Sequence, residues 1–258
     1  AGNFRTFDDK GLFRPYDIFR AITEDRAGNI WMCASGNGLF RYDKKLDTLI
    51  HYSRSAVPQA ITNILTDHAG RVWCVPEGGK NIFLYHPETD SFGKIRLYDS
   101  IARKEFRAIL SMCEDSQGNI WLGGNNSTLM KMDTERRNFT FISPGNSSNK
   151  NLRIRCILED EPGKLLLGTS NGILIYDYVK KSFEKIDSDP RNIYGLNDVF
   201  VHALLKDQEG GIWAGTYFGG LNYLSPINSC FEYYPNAPVN GVSEHFIVSK
   251  FCEDKQGN

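Results

Sequence analysis

The sequence has no excess of either charge and no long apolar run. Its 258 residues include 30 Lys and Arg against 31 Asp and Glu, which gives a formal net charge of -1 at pH 7. General binding to nucleic acid or to an anionic membrane surface needs a basic excess, so we expect neither from this segment. No apolar run approaches the roughly 20 residues of a membrane-spanning helix, and the N-terminus lacks the basic start and apolar stretch of a signal peptide.

The chain also lacks the short motifs of common enzymes and metal sites. It contains no G-x-S-x-G, H-E-x-x-H or Walker A sequence, and we interpret Gly-Gly-Lys-Asn at 78–81 as a polar turn rather than a phosphate loop. The six cysteines form no C-x-x-C and no zinc-ligand spacing with a histidine, so they are interpreted as small buried apolar residues: Cys33, Cys74, Cys113, Cys156, Cys230 and Cys252. We therefore expect no catalytic residues, no metal and no cofactor in this segment.

What the sequence does have is an internal repeat. Its most regular copies, residues 22–31, 111–121 and 204–213, contain Asp-x-x-Gly followed by Ile-Trp. The anchor aspartates recur at spacings of 42, 48, 45, 47 and 47 residues: Asp25, Asp67, Asp115, Asp160, Asp207 and Asp254. All four tryptophans follow an anchor aspartate by six residues: Trp31, Trp73, Trp121 and Trp213. This period is typical of the four-stranded blades of a β-propeller.

Each copy divides into four short strands, with the aspartate after the first strand and the tryptophan in the second. We interpret the aspartate as a turn residue whose carboxylate accepts backbone hydrogen bonds, and the tryptophan as a packing residue between blades. The turn lacks the further oxygen ligands of an EF-hand calcium loop. The copies at Asp67 and Asp160 are irregular, because Val75-Pro76 replaces Gly-Thr in the first and Leu166 replaces the tryptophan in the second.

These observations predict an all-β fold, a β-propeller of four-stranded blades that forms part of a seven-bladed propeller. Residues 1–10 fit the outer strand of a preceding blade, residues 11–236 fit five blades, and residues 237–258 fit the first strand of the next blade. Five blades and two partial ones do not close a seven-bladed ring. We therefore expect the chain to be part of a longer protein.

The unit Ile-x-x-Asp-x-x-Gly-x-Ile-Trp-x-Gly-Thr-x-x-Gly-Leu-x-x-Tyr resembles the two-component regulator propeller repeat over essentially the whole chain. It looks like the periplasmic sensor region of hybrid two-component histidine kinase/response regulators of carbohydrate-degrading gut bacteria. In that family two seven-bladed propellers precede a β-sandwich, a transmembrane helix, a kinase, a receiver and often a DNA-binding domain. The resemblance implies that residues 237–258 start a second propeller. It also implies an extracytoplasmic part of an inner-membrane protein, a homodimer formed through the parent protein, and control of transcription by phosphorelay.

Loops that differ between the copies are the candidates for ligand binding, because repetition indicates a structural role. The loops that lead into the first strand and those that join the second strand to the third share one face of a propeller. Aromatic rings beside Asn, Asp and Arg suit a sugar, since rings cover its C–H face and polar groups bind its hydroxyls. The candidate ligand-binding residues are Tyr16, Asp17, Arg153, Asn197, Asp198, His202, Tyr217 and Phe218. The alternative is that these loops are polar only because they lie at the surface.

Three functions therefore remain open on the sequence. The leading hypothesis is a non-enzymatic sensor module that responds to a carbohydrate, with an oligosaccharide as ligand, and controls a cytoplasmic kinase. The second is a lyase, because some propeller lyases use similar blades and a metal-assisted histidine base in the channel, which only His202 would reach. The third is a scaffold for protein interactions, a role that many propellers have.

Overall fold

The computed structural model describes residues 11–13, 17–52, 55–58, 60–99, 104–106, 108–133, 135, 138–143, 151–186, 195–227, 231–234 and 247–251. These residues form 22 β-strands, and no helix among them is long and apolar enough to cross a membrane. The chain divides into two compact units, Ala1–Ile109 and Leu110–Asn258. Each unit is described by itself.

In the first unit, two four-stranded antiparallel sheets follow one another, each with its strands in chain order. The first sheet contains β1 (Ile18–Glu24), β2 (Ile30–Ser35), β3 (Gly38–Asp43) and β4 (Thr48–Tyr52). The second sheet contains β5 (Ile61–Thr66), β6 (Val72–Pro76), β7 (Asn81–His86) and β8 (Ser91–Arg96). A short two-stranded sheet follows, made of β9 (Tyr98–Asp99) and β10 (Lys104–Glu105).

Three further sheets of the same design come next. The third sheet contains β11 (Ile109–Glu114), β12 (Ile120–Gly124), β13 (Leu129–Asp133) and β14 (Asn138–Ile142). The fourth contains β15 (Ile154–Glu161), β16 (Lys164–Thr169), β17 (Gly172–Asp177) and β18 (Ser182–Ile186). The fifth contains β19 (Val201–Lys206), β20 (Ile212–Thr216), β21 (Leu221–Leu224) and β22 (Phe231–Tyr234). The predicted all-β fold of four-stranded blades is confirmed, whereas the number of blades in the complete ring stays a prediction.

The turn between the first and second strands is organised by the anchor aspartate. Asp25 Oδ1 accepts the backbone N–H groups of Ala27 and Asn29, each at 2.9 Å, and its Oδ2 accepts the indole N–H of Trp31 at 2.8 Å. Burial alone would raise the pKa of Asp25, but these hydrogen bonds outweigh it and hold the pKa below its ordinary value. Gly28 closes the turn at a φ of 81°, which a residue with a side chain rarely adopts.

The same bond between the indole and the carboxylate recurs in three other sheets. It joins Trp73 to Asp67 and Trp121 to Asp115 at 2.8 Å, and Trp213 to Asp207 at 2.9 Å. The repeated tryptophan therefore satisfies the turn carboxylate as well as filling space. The sequence pattern predicted only the packing role.

The fourth sheet differs, as its irregular sequence predicts. Strand β15 continues through Asp160 to Glu161, and β16 begins at Lys164, so the turn is shorter. With no indole available, Asp160 Oδ1 accepts a hydrogen bond from Lys206 Nζ at 2.9 Å. Leu166, at the tryptophan position, is 5% exposed. It packs in a cluster with residues of the fifth sheet, Val201, Ile212, Ala214 and Phe231 among them.

The core lies between consecutive sheets. Trp31 is fully buried, and its ring centroid lies 4.6 Å from that of Tyr85 in the second sheet. Trp121 packs in the same way against Tyr176 and Tyr178 of the fourth sheet, at 6.0 and 5.4 Å. Burial of one such aromatic side chain contributes about 4–6 kcal/mol of transfer free energy, which a single isolated sheet could not obtain.

Glycine in the Trp-x-Gly segment allows adjacent sheets to approach closely. A methyl group at Gly168 would collide with Cys156 Sγ and lie 2.9 Å from Val201 Cγ1. Gly123 and Gly215 are in the same situation, against Ile154 and Val248. At Gly123 and Gly168 the first strand of the following sheet therefore packs directly on the glycine, and at Gly215 the segment around Val248 does so.

Several sequence predictions fall on residues outside the described part. These are the strand expected at 1–10, the candidate Tyr16, the cysteines Cys230 and Cys252, and the anchor Asp254. Of residues 237–258, only 247–251 are described, and they lie outside the named strands. Val248 N donates to Thr216 O at 3.3 Å, so this segment runs beside β20. No disulfide occurs among the described cysteines, Cys33, Cys74, Cys113 and Cys156.

Candidate functional site

The first strands of four sheets share an irregularity that re-aims one side chain. The antiparallel register shifts between Phe19 and Ala21, Ile61 and Asn63, Ile154 and Cys156, and Val201 and Ala203. The residue skipped in each case stands five positions before the anchor aspartate: Arg20, Thr62, Arg155 and His202. A bulged residue leaves the ladder and turns away from the regular pleat. The bulges therefore take Arg155 in the fourth sheet and His202 in the fifth out of the regular alternation of side chains along their strands.

Two loops meet at the end of the fifth sheet where β19 begins and β20 ends. Tyr217 N donates to Phe200 O at 3.0 Å, which continues the pairing beyond the strands. This contact brings together the β19–β20 cluster, which we define as Asp198, Phe200, His202, Tyr217 and Phe218. The loop before a first strand and the loop after a second strand therefore share one end of the sheet, as predicted for a blade.

Four rings form the apolar part of the β19–β20 cluster. The ring centroids of Tyr217 and Phe218 are 4.4 Å apart, and those of His202 and Tyr217 are 5.2 Å apart. Phe200 lies 6.5 Å from Tyr217 and 6.4 Å from Phe218. Phe218 is 55% exposed and Phe200 is 37% exposed. The cluster thus presents aromatic surface to solvent at a position held by its own ring contacts.

Asp198 and Asn197 hold the two loops together. Asp198 Oδ2 accepts the backbone N–H of Phe218 at 2.7 Å, and its Oδ1 accepts that of Phe200 at 3.2 Å. Asn197 Nδ2 donates to Gly219 O, and Asn197 N donates to Asn222 Oδ1 at 3.2 Å. Asn197 Oδ1 is buried and has no hydrogen-bond partner among the described residues. Both side chains therefore position the exposed rings.

The pKa of His202 is set by burial and by the neighbouring charges, of which Arg155 has the larger effect. Burial lowers the pKa of His202, and the positive charge of Arg155 lowers it further, while Asp198 opposes both effects. Arg155 itself has a lowered pKa because it is partly buried and near Arg153. Its Nε is buried and makes no hydrogen bond within the described part of the chain. Arg155 therefore places a half-buried positive charge beside the cluster, and the imidazole of His202 is kept neutral.

The structure thus brings together five of the eight candidate residues: Asn197, Asp198, His202, Tyr217 and Phe218. Arg153 is exposed and connects to the cluster through its effect on Arg155. Asp17 belongs to the first unit, where its Oδ2 accepts from Asn37 Nδ2 at 2.5 Å. Arg155 and Phe200 were not predicted. Arg155 could have been found from its position, since it stands five residues before an anchor aspartate, as His202 does.

The described residues contain no group of three or more His, Cys, Asp or Glu side chains that could hold a metal ion. The arrangement at the β19–β20 cluster is suited instead to binding. Exposed rings can cover the apolar face of a ligand, while Arg155 and Asp198 offer a donor and an acceptor.

Comparison with known proteins finds a family whose repeat is similar to two segments of this chain. The model of the two component regulator propeller matches residues 106–126 and 195–218. The chain is thus similar to this family at two of its five four-stranded sheets. The first matched segment covers β11 and β12 with the pair Asp115 and Trp121. The second covers β19 and β20 and ends at Phe218, so the β19–β20 cluster lies within the second matched segment.

Solved structures with similar folds extend the comparison, although no curated protein matches the sequence. The extracellular domain of a protein described as a hybrid two component system from B. thetaiotaomicron has 18% identity and a TM-score of 0.62 over 93% of this chain. The corresponding domain of a protein described as a one component system from the same organism has 19% identity and a TM-score of 0.65, also over 93%. This chain spans 38% of the length of each of these domains.

A third similar structure is an enzyme. Virginiamycin B lyase from Staphylococcus aureus has 12% identity and a TM-score of 0.64, covering 86% of this chain and 71% of the lyase. At these identities the similarity establishes the β-propeller fold alone. The function of this chain must be argued from its family match and its own residues.

Proposed function

We propose that this chain is an extracytoplasmic ligand-recognition module of a hybrid two-component signalling protein. The observation that carries the proposal is the match of two separate segments to the two-component regulator propeller model. The extracellular domains of the two B. thetaiotaomicron proteins, which cover 93% of the chain, support the same assignment. The module itself is not an enzyme, and it lies in the periplasm as part of an inner-membrane protein.

The ligand is a carbohydrate that binds at the β19–β20 cluster. Phe218 and Phe200 expose ring surface on which the C–H face of a sugar can stack, and both backbones are held by Asp198. Arg155 is half-buried and its charge acts on His202, so its guanidinium can supply a donor for a sugar hydroxyl oxygen. Binding at loops that join two strands requires little rearrangement of the sheets, so the cluster is organised before the ligand arrives.

The signal passes from the propeller to a kinase through rearrangement of a homodimer of the parent protein, and the kinase controls transcription. A ligand can shift such an equilibrium only if it binds one signalling state more tightly than the other. The proposal therefore requires that mutations in the cluster alter the ligand concentration needed for signalling. They should not alter the maximal output that the kinase can reach.

The test is a saccharide screen by calorimetry on this chain, followed by a transcription reporter for the parent protein. Phe218→Ala and Arg155→Gln should weaken the binding of the selected sugar and shift the reporter response to higher sugar concentration. Val179→Ala is the matched control, because Val179 is 73% exposed in the turn between β17 and β18 of the fourth sheet. A reporter that responds normally to sugar in both cluster variants would refute the binding site. A parent protein that shows no sugar response, and no kinase region, would refute the function.

A lyase is the second candidate, favoured by one observation. His202 stands at a bulge, beside Tyr217, with a lowered pKa that keeps the imidazole able to accept a proton. Its test is turnover of cyclic peptide or polysaccharide substrates by the purified chain with and without added divalent metal. Turnover that is metal-dependent and lost in His202→Ala would favour the lyase over the sensor module.

A further inference from the structure

The second sheet carries a basic surface pocket. The pocket has a volume of about 370 Å³ and is lined by Lys80, Asn81, Lys94 and Arg96. We refer to these four residues as the second-sheet pocket. It belongs to β7, β8 and the turn before β7, and so to a different sheet from the β19–β20 cluster.

The backbone holds the lining residues in a fixed register. Asn81 pairs with Arg96, and Phe83 pairs with Lys94, so the two basic residues of β8 stand two positions apart on one face of the strand. Leu97, which is fully buried, donates its N–H to Lys80 O at 2.9 Å. That bond ties the turn to the end of β8. The pocket is therefore built on a hydrogen-bonded frame that is anchored in the core.

The other copies of the repeat show that the fold does not require basic residues at these three positions. The register places His51, Phe141, Lys185 and Tyr233 at the position of Lys94. At the position of Lys80 the other copies have Asn37, Ser127, Asn171 and Gly219. Ser53, Ser143, Asp187 and Pro235 correspond to Arg96. Only the second sheet combines three basic residues, and it is also the copy whose turn, Glu77-Gly78-Gly79-Lys80, departs from the repeat.

The charges in the second-sheet pocket are complementary to an anion. Three of the four lining side chains are cationic, the fourth is a carboxamide with two N–H donors, and none is a carboxylate. The guanidinium of Arg96 lies 5.4 Å from the ring centroid of Tyr98, which orients it. Lys94 and Arg96 are exposed, so both side chains can donate charge-assisted hydrogen bonds to an anion that binds in the pocket.

We propose that the second-sheet pocket binds an anionic group of a ligand: a carboxylate, a sulfate or a phosphate. A guanidinium can contact two oxygens of such a group at once, while the lysines contribute point charges and Asn81 Nδ2 a further donor. The site does not depend on the carbohydrate site at the β19–β20 cluster. It can be occupied by a free anion or by an acidic sugar.

The test is titration of the isotope-labelled 258-residue chain, followed by amide NMR, with sodium sulfate, sodium phosphate, glucuronate and neutral glucose. Sodium chloride keeps the ionic strength constant, so that screening does not change. We expect saturable shifts of the amides of Lys80, Lys94 and Arg96 with the three anions but not with glucose. If glucuronate saturates the shifts at a lower concentration than sulfate and phosphate do, the anionic group belongs to an acidic sugar. If sulfate or phosphate saturates them at the lowest concentration, the ligand is a free anion.

Lys94→Gln combined with Arg96→Gln should weaken anion binding by roughly tenfold or more, because two charge-assisted contacts are lost. The matched control is Lys185→Gln, since Lys185 has the register position of Lys94 in the fourth sheet, opposite Leu174. It should leave binding unchanged. Lys80→Gln is a second variant, in a turn outside the strands. Equal affinity in the wild type and both pocket variants, or no saturable shift with any anion, would overturn the proposal.

Discussion

Trp121 Nε1 donates a hydrogen bond to Asp115 Oδ2 at 2.8 Å, at a carboxylate that is only 4% exposed. Asp115 Oδ1 also accepts the backbone N–H groups of Gln117 and Asn119, at 3.0 and 2.8 Å. One side chain therefore closes the turn while its partner packs against the next sheet. Because four of the five four-stranded sheets repeat the bond, the turn and the core are coupled in each of these four.

Trp121→Phe should test this coupling. Phenylalanine retains most of the apolar contact but removes the indole donor, so that the buried Asp115 Oδ2 keeps only the hydrogen bond from Asn119 Nδ2. We expect a loss of about 1–3 kcal/mol in the free energy of unfolding, measured with urea. The control is a double-mutant cycle with Asp115→Asn. A coupling energy near zero would show that the tryptophan acts through packing alone.

Gly168→Ala should destabilise the fold although it adds only one methyl group. The methyl group would collide with Cys156 Sγ and press on Val201, so we expect a cost of about 1–3 kcal/mol from overpacking. The same substitution in a Val201→Ala background should cost less, because the obstacle that the fifth sheet supplies is gone. Identical costs in the two backgrounds, measured by thermal unfolding, would contradict the close approach of the fourth and fifth sheets.

His202 should titrate below its ordinary pKa of 6.5. Burial and the charge of Arg155 both disfavour the imidazolium, and Asp198 favours it. The unfolded chain binds the proton at higher pH than the folded chain does, so this residue makes the fold less stable as pH falls through 6.5 towards the lowered pKa. Above pH 6.5 the imidazole is neutral in both states, and His202 causes no loss of stability.

The midpoint can be measured from the imidazole C–H resonances. Arg155→Gln should raise it and Asp198→Asn should lower it, because each variant removes a charge of opposite sign beside the ring. Movement of the midpoint in the same direction in both variants would mean that these charges do not act on His202.

Asp90→Asn should destabilise the first unit more than Asp47→Asn does. Asp90 Oδ1 accepts from the hydroxyls of Tyr52 and Tyr85 at 2.6 and 2.7 Å, and it lies 3.3 Å from Arg41 Nη1. Burial would raise the pKa of Asp90, but these three partners hold it below the ordinary value. The charge is thus part of a network with a largely buried arginine. Because Asp90 itself is 52% exposed and solvent screens its charge, we expect a cost of about 0.5–1.5 kcal/mol at neutral pH.

Asp47 is a close control, because it occupies the same turn position in the first sheet. Both residues have a positive φ, 51° for Asp47 and 47° for Asp90, and asparagine tolerates that backbone equally well. Asp47 accepts from the exposed hydroxyl of Tyr42. The cost of Asp90→Asn depends on the charge of Asp90 in the wild type. This cost should therefore shrink as the pH falls below 3.8, the ordinary pKa of the carboxyl group. Equal costs at the two positions by urea unfolding would rule out the network.

The fold was predictable because its determinants are local. Asp-x-x-Gly at Asp25 and Gly28 indicates a turn, and the alternation of apolar and polar residues on either side of it indicates strands. Each sheet could therefore be located from about 45 residues of sequence. The irregular turn at Asp160 was predictable for the same reason. The bond from indole to carboxylate was not predicted, since six residues of spacing do not show that the two side chains meet across a turn.

The candidate site was predictable in part. Loop position placed His202, Tyr217 and Phe218 near one another, and they do meet. Arg155 was missed because it lies within a strand, where alternation assigns it no special direction. Its orientation comes from a shift in register between Ile154 and Cys156, which depends on the pairing of β15 with β16.

The sequence by itself determined the repeat, the four strands of each sheet and the turn residues, because these follow from contacts between residues close in the chain. The tertiary structure alone decided which side chains from different strands share a surface. Lys80 and Arg96 are 16 positions apart and line one pocket, and Arg155 influences His202 from the neighbouring sheet. Such juxtapositions depend on how the strands pair and pack, so the spacing of residues along one chain does not specify them.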